Sequence, residues 1–192
     1  MKNVNLLVAA LCGFLAVSFS AHAEEMTAPD VGPAVGEVIS LDFATTDQDG
    51  NPQSFETFAG EKGAVVVFFR SAKWCPFCQM QLIDLNTNAV KEINARGYGM
   101  AAISYDPTKD LARFDQKWKV DFPMLSDNGS KMIDALGIRN EDYKEGHYAH
   151  GVPHPVIFIL DKNKKVIAKL NREGYRDRPE PAVILETLDS LS

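Results

Sequence analysis

The chain has 192 residues and a formal net charge of −6 at pH 7. Its acidic and basic residues are dispersed without a basic cluster, which speaks against nucleic acid or an anionic membrane surface as partner. Three cysteines are too few for a disulfide-stapled scaffold, and the length fits one domain with a substantial core.

Residues 1–23 read as a signal peptide. Lys2 precedes an apolar run from Leu6 to Phe19, and Ala21-His22-Ala23 fits a small-x-small cleavage site. The run is shorter than the roughly 20 residues of a membrane span, so no stable insertion is expected after cleavage. Cys12 follows bulky Leu11, where a lipoprotein site needs a small residue, and is read as part of the apolar signal. The expected location is a bacterial periplasm or the exterior. Residues 24–36, with Pro29 and Pro33, read as an extended, solvated lead-in, and residues 37–192 as the domain.

Val38 to Ala44 has strand character, and Asp49-Gly50 predicts a hairpin turn before a return strand near Ser54-Phe55. Six apolar residues, Ala64 to Phe69, predict a central strand covered on both faces. Then comes Trp74-Cys75-Pro76-Phe77-Cys78, followed by an apolar stripe at Cys78, Leu82, Leu85, Ala89 and Ile93, the pattern of one helix ending at Gly97. A strand over 100–105 precedes a helix capped by Asp106, with Leu111, Phe114 and Trp118 on its apolar face. A short strand at 122–125, a helix over 130–136 and a polar loop over 138–151 follow. The chain closes with a hairpin of strands 156–160 and 166–170 and a helix after Pro179 and Pro181 carrying Ile184, Leu185, Leu188 and Leu191. This alternation predicts an α/β fold, a central sheet with helices on both faces.

The chemistry concentrates at Cys75 and Cys78. Strand, Cys-x-x-Cys, helix is the context in which that motif is redox-active. Spacing of three brings both sulfurs into one helical turn, and Pro76 suits the first helical position. A cysteine at a helix start faces unpaired N–H groups that favour its thiolate. Cys75 is therefore the expected nucleophile, and Cys78 the thiol that resolves the product into a disulfide. A four-residue loop would stabilise the fold little, so the pair's value is chemical. The other reading is a metal site, with His147-x-x-His150 or His154 joining the cysteines. Those histidines lie far outside zinc-finger spacing, and no metal or organic cofactor is called for. Arg70 and Lys73 could add positive charge near Cys75, and Trp74 could shield the disulfide.

The motifs Trp74-Cys75-x-x-Cys78, Phe122-Pro123-Met124-Leu125-Ser126-Asp127 and Pro155-Val156-Ile157-Phe158-Ile159-Leu160-Asp161 resemble the thioredoxin-fold superfamily, and above all its peroxiredoxin branch (alkyl hydroperoxide reductase/thiol-specific antioxidant proteins). The likeness spans roughly residues 35–190. It implies a thioredoxin-like fold with an N-terminal hairpin extension. It implies that Pro155 matches the cis-proline opposite the redox cysteines, which would turn His154 toward the site. The chain departs from the peroxiredoxin pattern at three places. Ala72 stands for the Thr or Ser three residues before the reactive cysteine, Phe68 for the Pro seven before it, and Pro155 for the active-site arginine, which Arg70 could replace. Phe69 stands where thioredoxin has a buried Asp. These departures favour an exported thiol–disulfide oxidoreductase exchanging with a protein thiol or disulfide. A peroxide-reducing enzyme, with Cys75 peroxidatic and Cys78 resolving, is the alternative, and a copper- or zinc-binding protein a second one.

Overall fold

The computed structural model describes residues 30–174 and 176–191. The expected signal peptide, its cleavage site and the first part of the lead-in lie outside them. The fold is built on a five-stranded mixed sheet in the order β5-β4-β3-β6-β7. These strands are β3 (Gly63–Phe68), β4 (Tyr98–Ser104), β5 (Met124–Ser126), β6 (Val156–Asp161) and β7 (Val166–Leu170). β3, β4 and β5 run parallel, while β6 is antiparallel to both its neighbours, β3 and β7. Every residue of β3 is buried, as expected of a strand with helices on both faces.

Alternation along β3 divides the core in two. Val65, Val67 and Phe69 face a cluster with Leu82 and Leu85 of α2 (Pro76–Asn88) and Val90 and Ile93 of α3 (Val90–Ala95). The same cluster takes in Leu111 and Phe114 of α4 (Thr108–Trp118) and Ile184 and Leu188 of α6 (Pro181–Ser190). Ala64, Val66 and Phe68 face the opposite cluster, with Phe55 and Phe58 of α1 (Phe55–Phe58) and Met132 and Ile133 of α5 (Lys131–Ala135). The thioredoxin-like architecture read from the sequence is the architecture observed.

Several local expectations are corrected. The N-terminal hairpin pairs β1 (Thr45–Thr46) with β2 (Pro52–Gln53). Phe43 takes a positive φ of 54°, which interrupts the strand expected over 38–44, and Val38 makes only an isolated bridge to Lys165. Ser54 and Thr57 form a capping box, so the expected return strand becomes the start of α1. At the junction of the expected lead-in and the domain, Gly36 and Ile39 donate backbone bonds to Val166 and Lys164. The single helix expected after the motif breaks at Ala89 (φ −129°), although its stripe through Ile93 is buried as expected. Trp118 is 41% exposed rather than packed on the core.

Topology makes one edge of the sheet the place for chemistry. The carboxyl ends of β3, β4 and β5 share it, and so does the start of β6, because Val156 pairs with Phe68. β7 runs in the same direction as β3, so the segment that follows it starts from this edge too. Sites in such sheets form outside the carboxyl ends of the strands.

Candidate active site

Cys75 is the N-cap of α2, with Pro76 at the first helical position. Its Sγ accepts the Cys78 N–H at 3.4 Å, so a sulfur caps the helix where an oxygen usually does. Both cysteines are free thiols and both are buried. Cys75 sits just beneath the surface, between half-buried Trp74 and exposed Pro76, while Cys78 lies one turn deeper with no exposed surface.

The turn before Cys75 is fixed by hydrogen bonds. Asp106 was expected to cap α4, but the N-cap there is Pro107, and Asp106 points inward with 2% exposure. Its carboxylate accepts from the Ser71 hydroxyl (2.7 Å), the Ala72 N–H (2.7 Å) and the Ser104 hydroxyl (3.0 Å). The Ser71 hydroxyl in turn accepts the N–H groups of Lys73 (3.0 Å) and Trp74 (3.3 Å), and Gln79 Nε2 donates to the Ala72 carbonyl (2.7 Å). Burial raises the Asp106 pKa, against the hydrogen bonds from Ser71, Ala72 and Ser104, which pull it down. Asp106 therefore braces the loop that presents Cys75.

The segment 138–151 is more than a polar loop. Its ends are joined by bonds from Asn140 N–H to the Val152 carbonyl and from His154 N–H to the Ile138 carbonyl. Gly151 (φ +95°) brings its backbone against Ser130, where a Cβ would stand 2.5 Å from the hydroxyl. Ala149 and Val152 are fully buried. From this base the loop sets an aromatic wall beside the motif. Trp74 meets Tyr148 edge-on at 5.1 Å and donates its indole N–H to the Tyr105 hydroxyl at 2.9 Å. Tyr105 in turn donates to the Tyr148 carbonyl at 3.0 Å. Arg70, 4% exposed, lies between the Trp74 ring (4.9 Å) and the Tyr143 ring (5.2 Å) and donates to the Tyr143 hydroxyl at 2.8 Å. An open cleft of about 650 Å³ adjoins this wall, lined in part by Trp74, Tyr105, Tyr148 and His150.

The two thiols share a hydrogen bond and titrate as a pair. Burial pushes the Cys78 thiol up, but the hydrogen bond from Cys75 and the guanidinium of Arg178 outweigh it, leaving Cys78 at about 6. Arg178 Nη2 stands 3.5 Å from the Cys78 sulfur. The Cys75 thiol is held above its ordinary value by its bond to Cys78 and by burial, while the Cys78 N–H and Arg70 pull it down. The helix start does favour a Cys75 anion, but a charge on Cys78 opposes a second one nearby.

The other expected site residues are placed as follows. Lys73 is exposed and ion-pairs with Asp110 at 3.2 Å. Pro155 lies at the sheet edge next to Val156, but no cis peptide bond occurs among the described residues, so the cis-proline implied by the family likeness is corrected. His154 is half-buried, burial lowers its pKa, and it is not among the groups acting most strongly on either cysteine. His147 accepts the Ala149 N–H on its Nδ1 and stacks between Tyr143 and Tyr148. Among the described residues no three His, Cys, Asp or Glu side chains gather as a metal site. The sequence reading missed Asp106 as a brace, Tyr105 and Tyr143 as wall, and Arg178 altogether. An inward role for Asp106 could have been suspected from its place at a strand end; nothing near Arg178 signals its reach.

Comparison with known proteins agrees with this picture. Peroxiredoxin Bcp of Escherichia coli K12 is 29% identical over 128 residues, 67% of this chain and 80% of the relative. The crystal structure of peroxidoxin BcpB from Mycobacterium tuberculosis superposes with a TM-score of 0.67 at 24% identity, covering 84% of this chain and 97% of that one. Peroxiredoxin Q of Xanthomonas campestris gives a TM-score of 0.63 at 20% identity, covering 82% and 97%. These two likenesses show the fold. The model of the AhpC/TSA family matches residues 35–169, which takes in both cysteines, and the chain belongs to that family.

Proposed function

We propose that this chain is a thiol peroxidase of the peroxiredoxin kind, with Cys75 peroxidatic and Cys78 resolving. The observation that carries the reading is a reduced, buried dithiol at the start of α2, within the part of the chain that matches the AhpC/TSA family. The relatives named above are peroxiredoxins. One proton moving across the Cys75–Cys78 hydrogen bond transfers the negative charge to Cys75. The Cys75 thiolate attacks the terminal oxygen of a hydroperoxide; a sulfur–oxygen bond forms, the peroxide bond breaks, and the alkoxide leaves as alcohol with the proton that Cys78 had taken up, which returns Cys78 to thiolate. Cys78 then displaces the oxygen from the Cys75 sulfenic acid, and an external thiol reduces the disulfide. Arg70 takes the part of the family's missing arginine: it is buried beside the motif and favours the Cys75 anion. The test is mass spectrometry of Cys78→Ser after one equivalent of hydroperoxide with dimedone. A dimedone adduct on Cys75 supports the reading, and an unmodified Cys75 contradicts it.

A second reading is thiol–disulfide exchange with a protein partner. Ala72, Phe68 and Pro155 at the three peroxide-binding positions favour it. Under either reading the apolar N-terminal run and the Ala21-His22-Ala23 site support export to a periplasm, which fractionation of cells expressing the full chain would test.

A further inference from the structure

Arg178 is 100 residues beyond Cys78 and belongs to no helix or strand. It reaches the motif because β7 runs toward the motif edge and α6 begins at Pro181. The stretch is anchored beside it: Pro179 is buried, and Ile184 and Leu188 of α6 sit in the core cluster that holds both cysteines. Nη1 of Arg178 donates to the Asp177 carbonyl at 2.8 Å, Nη2 points at the Cys78 sulfur at 3.5 Å, and Nε is buried without an acceptor. A cation with an unsatisfied buried donor is costly to hold unless an anion faces it. The group it faces is a buried sulfur. Cys75 shares the proton of Cys78, and Arg70 acts on Cys75. Asp84 on α2, Arg176 and Glu180 line a cleft of about 330 Å³ with Arg178.

We propose that Arg178 is the cation that keeps Cys78 in the thiolate form, so that the resolving sulfur is charged before it is needed. The chemical step rests on the peroxidase reading. The Cys78 thiolate attacks the Cys75 sulfenic sulfur, the S–S bond forms, the S–O bond breaks, and hydroxide leaves to take a proton from solvent as water. A thiol must lose its proton before this attack, and a thiolate need not.

The experiment titrates Cys78 in the Cys75→Ser protein by thiolate absorbance and by the pH dependence of iodoacetamide alkylation. The half-point is expected below the ordinary 9.0. Arg178→Gln is expected to raise it by about one pH unit or more, a tenfold loss of thiolate per unit below the half-point, and Arg178→Lys to restore at least half of that shift. In the complete dithiol, Arg178→Gln slows conversion of the Cys75 sulfenic acid to disulfide most at low pH, with the rates converging above the new half-point. A uniform slowing at every pH is what mere disturbance of packing gives, and it overturns the proposal. So does a Gln variant that titrates like its parent, a Lys variant that titrates like Gln, or a half-point near 9.0 before any change at Arg178. The titration uses no peroxide. A protein without peroxide reactivity but with an arginine-dependent titration loses the peroxidase reading and keeps Arg178; the reverse result keeps the enzyme and loses Arg178.

Discussion

The stretch before Cys75 and the stretch that reaches Cys78 are built differently. Residues 70–74 are tied by hydrogen bonds to Asp106 and by ring contacts to the loop over 138–151. Residues 176–180 are irregular backbone, and what they bring to Cys78 is one guanidinium at 3.5 Å. Two sulfurs three residues apart are therefore controlled by different means: Cys75 is held in place by many short-range bonds, Cys78 is set in charge by one cation. A geometric control fails through stability and presentation, whereas an electrostatic control fails through pH.

Substitutions in the first stretch test the geometric half, and the largest effect is expected at Asp106. Asp106→Ala leaves the Ala72 N–H and the Ser71 and Ser104 hydroxyls without their acceptor in the core, which costs roughly 3 kcal/mol. Denaturant unfolding should show that loss together with slower Cys75 reaction; full stability would mean that the brace is not structural. Arg70→Gln removes a buried cation near Cys75. Its reaction with peroxide is expected to fall roughly tenfold, the equivalent of about 1.4 kcal/mol, with Cys78 titration little changed. Equal shifts at both sulfurs would erase the distinction between the two stretches.

Stability against pH sharpens the electrostatic half. The folded Cys78 thiol, at about 6, lies below its ordinary 9.0, so between these values the unfolded chain binds more protons and the reduced protein gains stability as pH rises. As pH falls through about 6 that gain is lost. Cys75 is pushed above 9.0, so above that pH the folded state holds the extra proton and stability falls again. The difference in thermal midpoint between reduced and disulfide forms, followed over this range, should peak near pH 9; a flat difference contradicts the assignment of charge to Cys78. The smallest effect is expected of Tyr143→Phe. It removes one hydrogen bond to Arg70, worth about 1 kcal/mol, and a severalfold slower peroxide reaction with unchanged Cys78 titration is the predicted readout.

The sheet, its helices and the cysteine pair were legible because their signals are local and periodic. A run of six apolar residues, a stripe at helical spacing and a Cys-x-x-Cys between them need no tertiary information. The misreadings share a cause. Asp106 carries the mark of a helix cap, but the buried donors of Ser71, Ala72 and Ser104 outcompete the exposed helix end for its carboxylate. Residues 138–151 look polar, yet Tyr143 and Tyr148 form a wall only when the fold brings Arg70 and Trp74 against them. Arg178 could not be found at all, because its partner lies 100 residues away in the chain.

The most direct test of the account is the rate at which the reduced protein reacts with hydrogen peroxide, followed by tryptophan fluorescence in stopped flow and repeated with Cys75→Ser. The account predicts a rate far above that of a free thiol at the same pH, lost in Cys75→Ser. A rate equal to that of an ordinary thiol, or one that survives the loss of Cys75, would contradict the peroxidase function and leave thiol–disulfide exchange as the chemistry of the pair.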